Sequence, residues 1–126
     1  MKYTEEHEWL LVEDEWVVVG ITNHASTELG DIVFIELPEV GTSVTKDEEI
    51  VVIESVKAAS DILAPLDGEI VEVNEILNDE PSKVNDDPTG NGWMFKMKIE
   101  NLSDLENFMS EAEYNKFISW GKNYGF

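Results

Sequence analysis

Ile50-Val51-Val52-Ile53-Glu54-Ser55-Val56-Lys57-Ala58-Ala59-Ser60-Asp61-Ile62-Leu63-Ala64-Pro65 reads as two short strands joined by a turn. The run Ile50 to Ile53 is wholly apolar and β-branched, a composition suited to a packed strand. Asp61 to Ala64 is a second candidate, stopped by Pro65, which has no amide to give to a ladder. Lys57 lies in the segment between them and is the only basic residue between Lys46 and Lys83. A group-carrying cofactor needs an accessible amine, fixed in conformation at the end of a rigid support. A strand-to-strand turn meets those conditions. Spacing alone fits a solvated surface lysine equally well.

Outward from this turn the chain reads as mostly strands. Trp9-Leu10-Leu11-Val12 and Trp16-Val17-Val18-Val19, separated by Glu13-Asp14-Glu15, predict a hairpin. Thr22 or Asn23 caps a short helix through Leu29, and Gly30 is free to take the left-handed conformation that ends it. Asp31 to Leu37 alternates imperfectly, and Pro38 and Gly41 mark a turn. Glu69 to Val73 follows Asp67-Gly68 as a further strand. Residues 30–77 thus hold two strand pairs with a weak internal likeness, which suggests a pseudo-twofold sandwich. Asn78 to Gly92 reads as loop, and Trp93 to Ile99 as a strand with Lys96 and Lys98 together on a solvated face. Ser103 to Glu106 and Ser110 to Glu113 both match the capping box, so the C-terminus is predicted helical. Phe108, Met109, Phe117, Ile118 and Trp120 are expected to pack on the sheet. The fold class is mainly β, and 126 residues fit one domain, 1–126.

Composition narrows the partners. Acidic residues outnumber basic ones 28 to 8, for a net charge of −20, a field that repels nucleic acid and anionic membranes. Every basic residue is a lysine, so no guanidinium fork is present to grip phosphate. The apolar fraction of 42% supports a real core despite that charge. The absence of cysteine suits a reducing compartment. The N-terminus lacks the marks of a signal or transit peptide, so a cytoplasmic protein, acting as a monomer, is expected.

Other chemistries find little support. His7-Glu8 begins like a zinc-protease signature, but position 11 is Leu. His24 is the only other histidine, and both read as capped or surface residues. Asn85 to Gly90 resembles a calcium loop whose twelfth position is Lys96 instead of glutamate, so no metal is expected. No phosphate loop or nucleophile elbow occurs, and no catalytic residue is assigned. Asn101-Leu102-Ser103 fits a glycosylation sequon by accident.

Around Glu54 to Asp61 the chain resembles the H protein of the glycine cleavage system, the lipoyl-bearing member of that complex. The likeness includes His7-Glu8-Trp9, Gly20-Ile21-Thr22-Asn23-His24-Ala25, the run Leu29 to Gly41, and Ala64 to Asn74. It continues through Pro81, Val84-Asn85, Asp87-Pro88 and Gly92-Trp93. The resemblance implies a lipoyl-domain-like barrel-sandwich hybrid of two small antiparallel sheets, with lipoate joined by an amide to Lys57. It implies a carrier, not an enzyme: a swinging arm in glycine catabolism and one-carbon metabolism. The arm takes an aminomethyl group from the glycine decarboxylase (P protein) to the aminomethyltransferase (T protein), and dihydrolipoamide dehydrogenase (L protein) reoxidises it. A lipoate-attaching enzyme is the fourth partner.

The same resemblance places a glutamate, a histidine and an aspartate along the cleft that shelters the loaded arm, here Glu8, His24 and Asp61. Glu54, three residues before the lysine, resembles a position by which attaching enzymes recognise such domains. Gly41 resembles another, and also fits a plain turn glycine. Asn23, Ser26 and Thr89 depart from the family's usual aspartate, glutamine and tyrosine, which bears on how the arm docks. Biotin domains share the architecture but usually flank the lysine with methionines, where this chain has Val56 and Ala58. Two alternatives stand beside the shuttle: a donor relaying lipoate to 2-oxoacid dehydrogenases, and an unmodified acidic binding module.

Overall fold

The computed structural model describes residues 1–123, with side chains through residue 119. In chain order the elements are β1 (Lys2–Tyr3), β2 (Glu8–Glu13), β3 (Trp16–Ile21), α1 (Asn23–Leu29), β4 (Ile32–Glu36), β5 (Ser43–Val44), β6 (Glu49–Ser55), β7 (Ala59–Leu63) and β8 (Gly68–Val73). Then come α2 (Ile76–Asp79), α3 (Lys83–Asp86), β9 (Phe95–Lys98), a 3-10 turn (Leu102–Asn107) and α4 (Glu111–Asn123).

The strands form two antiparallel sheets, one in the order β1-β2-β3-β9-β8-β5 and one in the order β4-β6-β7. β3 is central in the larger sheet, and Val17, Val18, Val19 and Ile21 are all buried, as its β-branched run foreshadows. The β2–β3 hairpin closes at Glu13↔Trp16, with Asp14 in the left-handed region at φ 57°. Between the sheets, Val19, Ile21, Ile35, Val51, Ile53, Ile70, Phe95 and Met97 build one core. Of the strands expected in residues 30–77, β4, β6 and β7 form the smaller sheet, and β8 pairs in the larger one with β9 and with β5, a two-residue strand that was not expected.

Trp9 shows how closely neighbouring strands of the larger sheet pack. A Cβ on Gly20 would sit 2.6 Å from the Trp9 ring, so the indole lies flush on the backbone of the next strand. Its Nε1 donates to the Pro88 carbonyl at 2.9 Å and ties the 80s segment to the hairpin.

Four readings need correction. The segment 78–92 is not plain loop: α2 runs to Asp79 and α3 covers Lys83–Asp86. Leu77 and Val84, both fully buried, anchor these single turns to the core, and burial overrides the polar composition around them. Lys96 is not a solvated lysine. Its ammonium lies 2.9 Å from Glu13 and 3.6 Å from Glu72, and the hydrogen bond it donates to Glu13 holds its pKa above the ordinary lysine value. Lys98 on the same strand is exposed.

The third correction concerns the first of the two C-terminal capping boxes. Ser110 and Glu113 do form one, with Ser110 N donating to Glu113 Oε1 at 2.9 Å and Glu113 N to Ser110 Oγ at 3.2 Å. The earlier stretch is a 3-10 turn capped instead by Asn101, whose Oδ1 accepts from Ser103 N at 3.1 Å. The fourth is the packing of α4. Phe108 joins the core, but Phe117 is exposed, and the buried anchor is Tyr114, stacked on Tyr3 with ring centroids 4.8 Å apart. Met109 is half-buried and bridges to Tyr3, and Ile118 is half-buried. The Trp120 side chain lies outside the described residues.

Candidate functional site

Lys57 stands at the tip of the β6–β7 hairpin. The ladder runs to Glu54↔Ala59, and Ser55 N donates to the Ala58 carbonyl at 2.8 Å. The Ser55 hydroxyl accepts from Lys57 N at 3.3 Å and Ala58 N at 3.1 Å, and donates to the Ala58 carbonyl at 3.1 Å. One small side chain thus satisfies the turn's backbone while Val56, Lys57 and Ala58 stay exposed. A further tether comes from Val56 N, which donates to the Asp31 carbonyl at 3.0 Å.

The lysine side chain lies over the end of α1. Thr22 caps that helix, its Oγ1 accepting from Ala25 N at 3.2 Å, and Gly30 ends it at φ 78°, ψ −158°. The positive φ agrees with the reading of Gly30, although the ψ lies outside the left-handed helical region. A Cβ at Gly30 would come within 3.2 Å of Lys57 Cε and 3.9 Å of its Nζ. Asn85 fixes this junction: its Nδ2 donates to the Gly30 carbonyl at 2.8 Å, and its Oδ1 accepts from Ile32 N at 2.9 Å.

Next to the tip, a cavity of about 760 Å³ opens between α1, β7 and α4. His24, Ala25, Glu28 and Leu29 line one side, Ser60, Asp61 and Ile62 another, and Phe117, Ile118 and Ser119 a third. Leu29 immediately precedes Gly30, and Ser60 follows Lys57 by three residues, so the cavity lies near the lysine tip. His7 also lines it, with its ring centroid 4.7 Å from that of His24. Burial, and then the neighbouring His24, push the His7 pKa below the usual imidazole value, against an opposing pull from Glu28.

His7 is also where the C-terminal helix is fastened. Its Nδ1 lies 2.7 Å from the Tyr114 hydroxyl, which lies 2.7 Å from Thr22 Oγ1. Because Thr22 Oγ1 already accepts from Ala25, a consistent chain has Thr22 donating to Tyr114 and Tyr114 donating to a neutral His7.

Of the three residues expected along the arm's cleft, His24 and Asp61 share this cavity. Glu8 lines a smaller one of about 290 Å³, with Thr4, Lys46, Asp47 and Ala64 among its walls. Glu6 lines both, so the two adjoin. The Glu8 carboxyl is only 2% exposed. Its Oε1 accepts from Thr4 Oγ1 at 3.2 Å, and its Oε2 has no partner among the described residues. Burial raises its pKa to about 8, opposed by the hydrogen bond from Thr4 and helped by smaller pushes from Glu6 and Asp47. Glu54 lies apart from both cavities, exposed and paired across the strands with Phe34.

Sequence reasoning passed over Asn85, Tyr114 and Glu28 as individual site residues. Asn85 stood within a motif, but its two partners are 53 and 55 residues away in the chain. Tyr114 had a local signal, since it follows directly on the capping box that starts its helix. Glu28 had none in a chain with 28 acidic residues. Among the described residues, no group of three His, Asp or Glu is placed to hold a metal ion, and no helix is long and apolar enough to cross a membrane.

The family model for the glycine cleavage H-protein matches residues 1–120. The glycine cleavage system H protein of Thermotoga maritima is 54% identical over 118 residues, 94% of this chain and 95% of that protein. That of Psychrobacter sp. is 54% identical over 115 residues, 90% of this chain and 91% of its own. Among solved structures, a glycine cleavage system H protein from Mycobacterium marinum superposes with a TM-score of 0.84 at 37% identity, covering 94% of this chain and 95% of that one. The two-sheet architecture, the near-complete coverage and the family match agree, and the chain belongs to the glycine cleavage H-protein family, the lipoyl-bearing shuttle of the glycine cleavage system.

Proposed function

We propose that Lys57 is the residue that carries the lipoyl group, and that the cavity between α1, β7 and α4 shelters the loaded end of the arm. The observation that carries this reading is the position of Lys57, on a serine-locked tip near a cavity large enough for a small organic group. The gap left by the missing side chain of Gly30 is a cradle for the lysine stem. The residues present therefore fit a lysine-linked arm.

Attachment needs the ε-amine in its neutral form. Its nitrogen attacks the carbonyl carbon of an activated lipoate carboxyl, an N–C amide bond forms, and the activating group departs with its bonding pair. One proton of the amine passes to solvent, and the lysine loses its charge. Once attached, lipoate supplies a disulfide able to accept the one-carbon amine left when glycine loses carbon dioxide.

The chain's own residues then hold and protect. Ile21, Leu29, Ile62 and Phe117 give the cavity apolar walls that limit water, the condition under which a labile amine adduct lasts. Asp61 and a ring nitrogen of His24 offer acceptors to an ammonium group in the same space. In the adjoining cavity burial favours the protonated form of Glu8 and raises its pKa to about 8. The carrier domain in this reading spans residues 1–126 and works in the cytoplasm, a compartment suited to its cysteine-free, acidic composition.

The protein works with the decarboxylase (P protein), the aminomethyltransferase (T protein) and dihydrolipoamide dehydrogenase (L protein) of the system. The test is intact-mass spectrometry after expression with lipoate, followed by peptide fragmentation. A single lipoyl increment on Lys57, absent in Lys57→Arg, is the expected result. An increment placed on any other lysine overturns the assignment.

A further inference from the structure

The outer face of the small sheet carries exposed apolar side chains beside the lysine tip. β4 is an edge strand of that sheet, and a bulge between Ile32 and Phe34 interrupts its pairing with β6. Two consecutive apolar residues, Val33 and Phe34, are thereby left 56% and 47% exposed. Phe34 lies opposite Glu54, three residues before Lys57, and Val56, next to the lysine, is 68% exposed. Val56 is held to the start of β4 by its bond to the Asp31 carbonyl.

Nothing in the core requires an aromatic ring at Phe34, and an exposed apolar edge is a liability that folded proteins ordinarily blunt or cover. The acidic residues Asp31, Glu36 and Glu54 border the patch and are exposed. Its complement is an apolar socket rimmed by cations.

We infer that Val33, Phe34 and Val56 form the docking surface for the enzyme that attaches lipoate to Lys57. Reach selects this partner. During attachment only the lysine side chain extends into the enzyme's active site, so that enzyme must contact the surface within a residue or two of the tip. Enzymes acting on the loaded arm are reached through the lysine and lipoyl chains together and can bind farther away. An aromatic anchor with a charged rim is also the usual composition of an interface centre.

The inference rests on Lys57 being the attachment residue, and the test separates the two. The unmodified full chain, as wild type, Phe34→Ser, Phe34→Leu and Lys57→Arg, is incubated with a purified lipoate–protein ligase, lipoate and ATP, and the added mass is followed with time. Phe34→Ser is expected to lower kcat/KM for lipoylation about tenfold or more, mainly through KM, with Phe34→Leu recovering most of it. Unchanged circular dichroism accompanies this, because the ring is half exposed. Phe34→Ser driven to full lipoylation is expected to support glycine cleavage at the wild-type rate.

Lipoylation of Phe34→Ser at the wild-type rate overturns the docking inference and leaves the Lys57 reading intact. So does normal lipoylation with slowed glycine cleavage, which gives the patch to the decarboxylase or the aminomethyltransferase. Lipoylation of Lys57→Arg overturns the reading beneath it.

Discussion

Lys57 Cε lies 3.2 Å from the place a Cβ on Gly30 would take, closer than an ordinary van der Waals contact. The lysine on one hairpin and the glycine at the end of one helix therefore share a single space, and each constrains what the other can do. Gly30→Ala fills that space and places a Cβ on a residue at φ 78°. The expected loss of stability is about 1–3 kcal/mol from the backbone alone, because this combination of φ and ψ is essentially confined to glycine. Urea denaturation measures it, and the displaced lysine is expected to show faster chemical acetylation than in the wild type.

Asn85 joins the two sides of the same junction through its bonds to the Gly30 carbonyl and Ile32 N. Asn85→Ala leaves both half-buried groups without those partners, at about 1–3 kcal/mol for each group left unsatisfied. Asn85→Asp keeps the acceptor for Ile32 and loses the donor to Gly30, so it is expected to fall between wild type and alanine in denaturant midpoint. Equal midpoints for the two variants would show that the donor half contributes everything.

The Thr22–Tyr114–His7 chain binds α4 to the cap of α1. Tyr114→Phe keeps the ring stacked on Tyr3 and removes the hydroxyl, at an expected cost of about 1–3 kcal/mol. Proteolysis within residues 111–119 is expected to speed up, because the helix loses its polar fastening. A wild-type cleavage pattern would show that the aromatic stack alone secures it.

His7 gives this fastening a pH dependence. Its folded-state pKa lies below the ordinary imidazole value of 6.5, so as pH falls through that value the unfolded chain binds the proton first. The contribution is complete above pH 6.5 and is lost as pH drops toward the folded pKa. His7→Gln, compared with wild type by thermal unfolding between pH 7.5 and about 5, is expected to lose less stability over that window.

Glu8 works in the opposite direction. Its folded pKa of about 8 lies above the ordinary 4.5, so the folded protein holds a proton that the unfolded chain releases. The favourable contribution is complete below 4.5 and declines as pH rises to about 8, at up to about 1.4 kcal/mol for each pH unit. Glu8→Gln keeps the shape without the titration, and its stability relative to wild type is expected to rise across that range. A flat difference would place the Glu8 pKa at its ordinary value.

Much of this was legible in local sequence. The valine run of β3, the wholly apolar Ile50–Ile53 and the proline after Ala64 announced strands and their ends, because side-chain alternation and missing amides act within a few residues. The Ser110 capping box was readable for the same reason. Where a few buried residues outweigh their surroundings, local reading failed: Leu77 and Val84 make helical turns from a segment that composition calls loop. Lys96 looked solvated because both of its carboxylate partners come from other strands.

The sequence by itself determined the mainly β class, the turn on which Lys57 stands, the charge that excludes anionic partners and, through its ordered motifs, the family. Those properties depend on neighbours in the chain. Only the tertiary structure decided that His24 and Asp61 share one cavity while Glu8 is buried in the next, that Lys57 lies in the gap left by Gly30, and that Phe34 stands exposed beside it. Each of these depends on distances between elements far apart in the chain, and such distances are set by packing two sheets and the helices around them into one core.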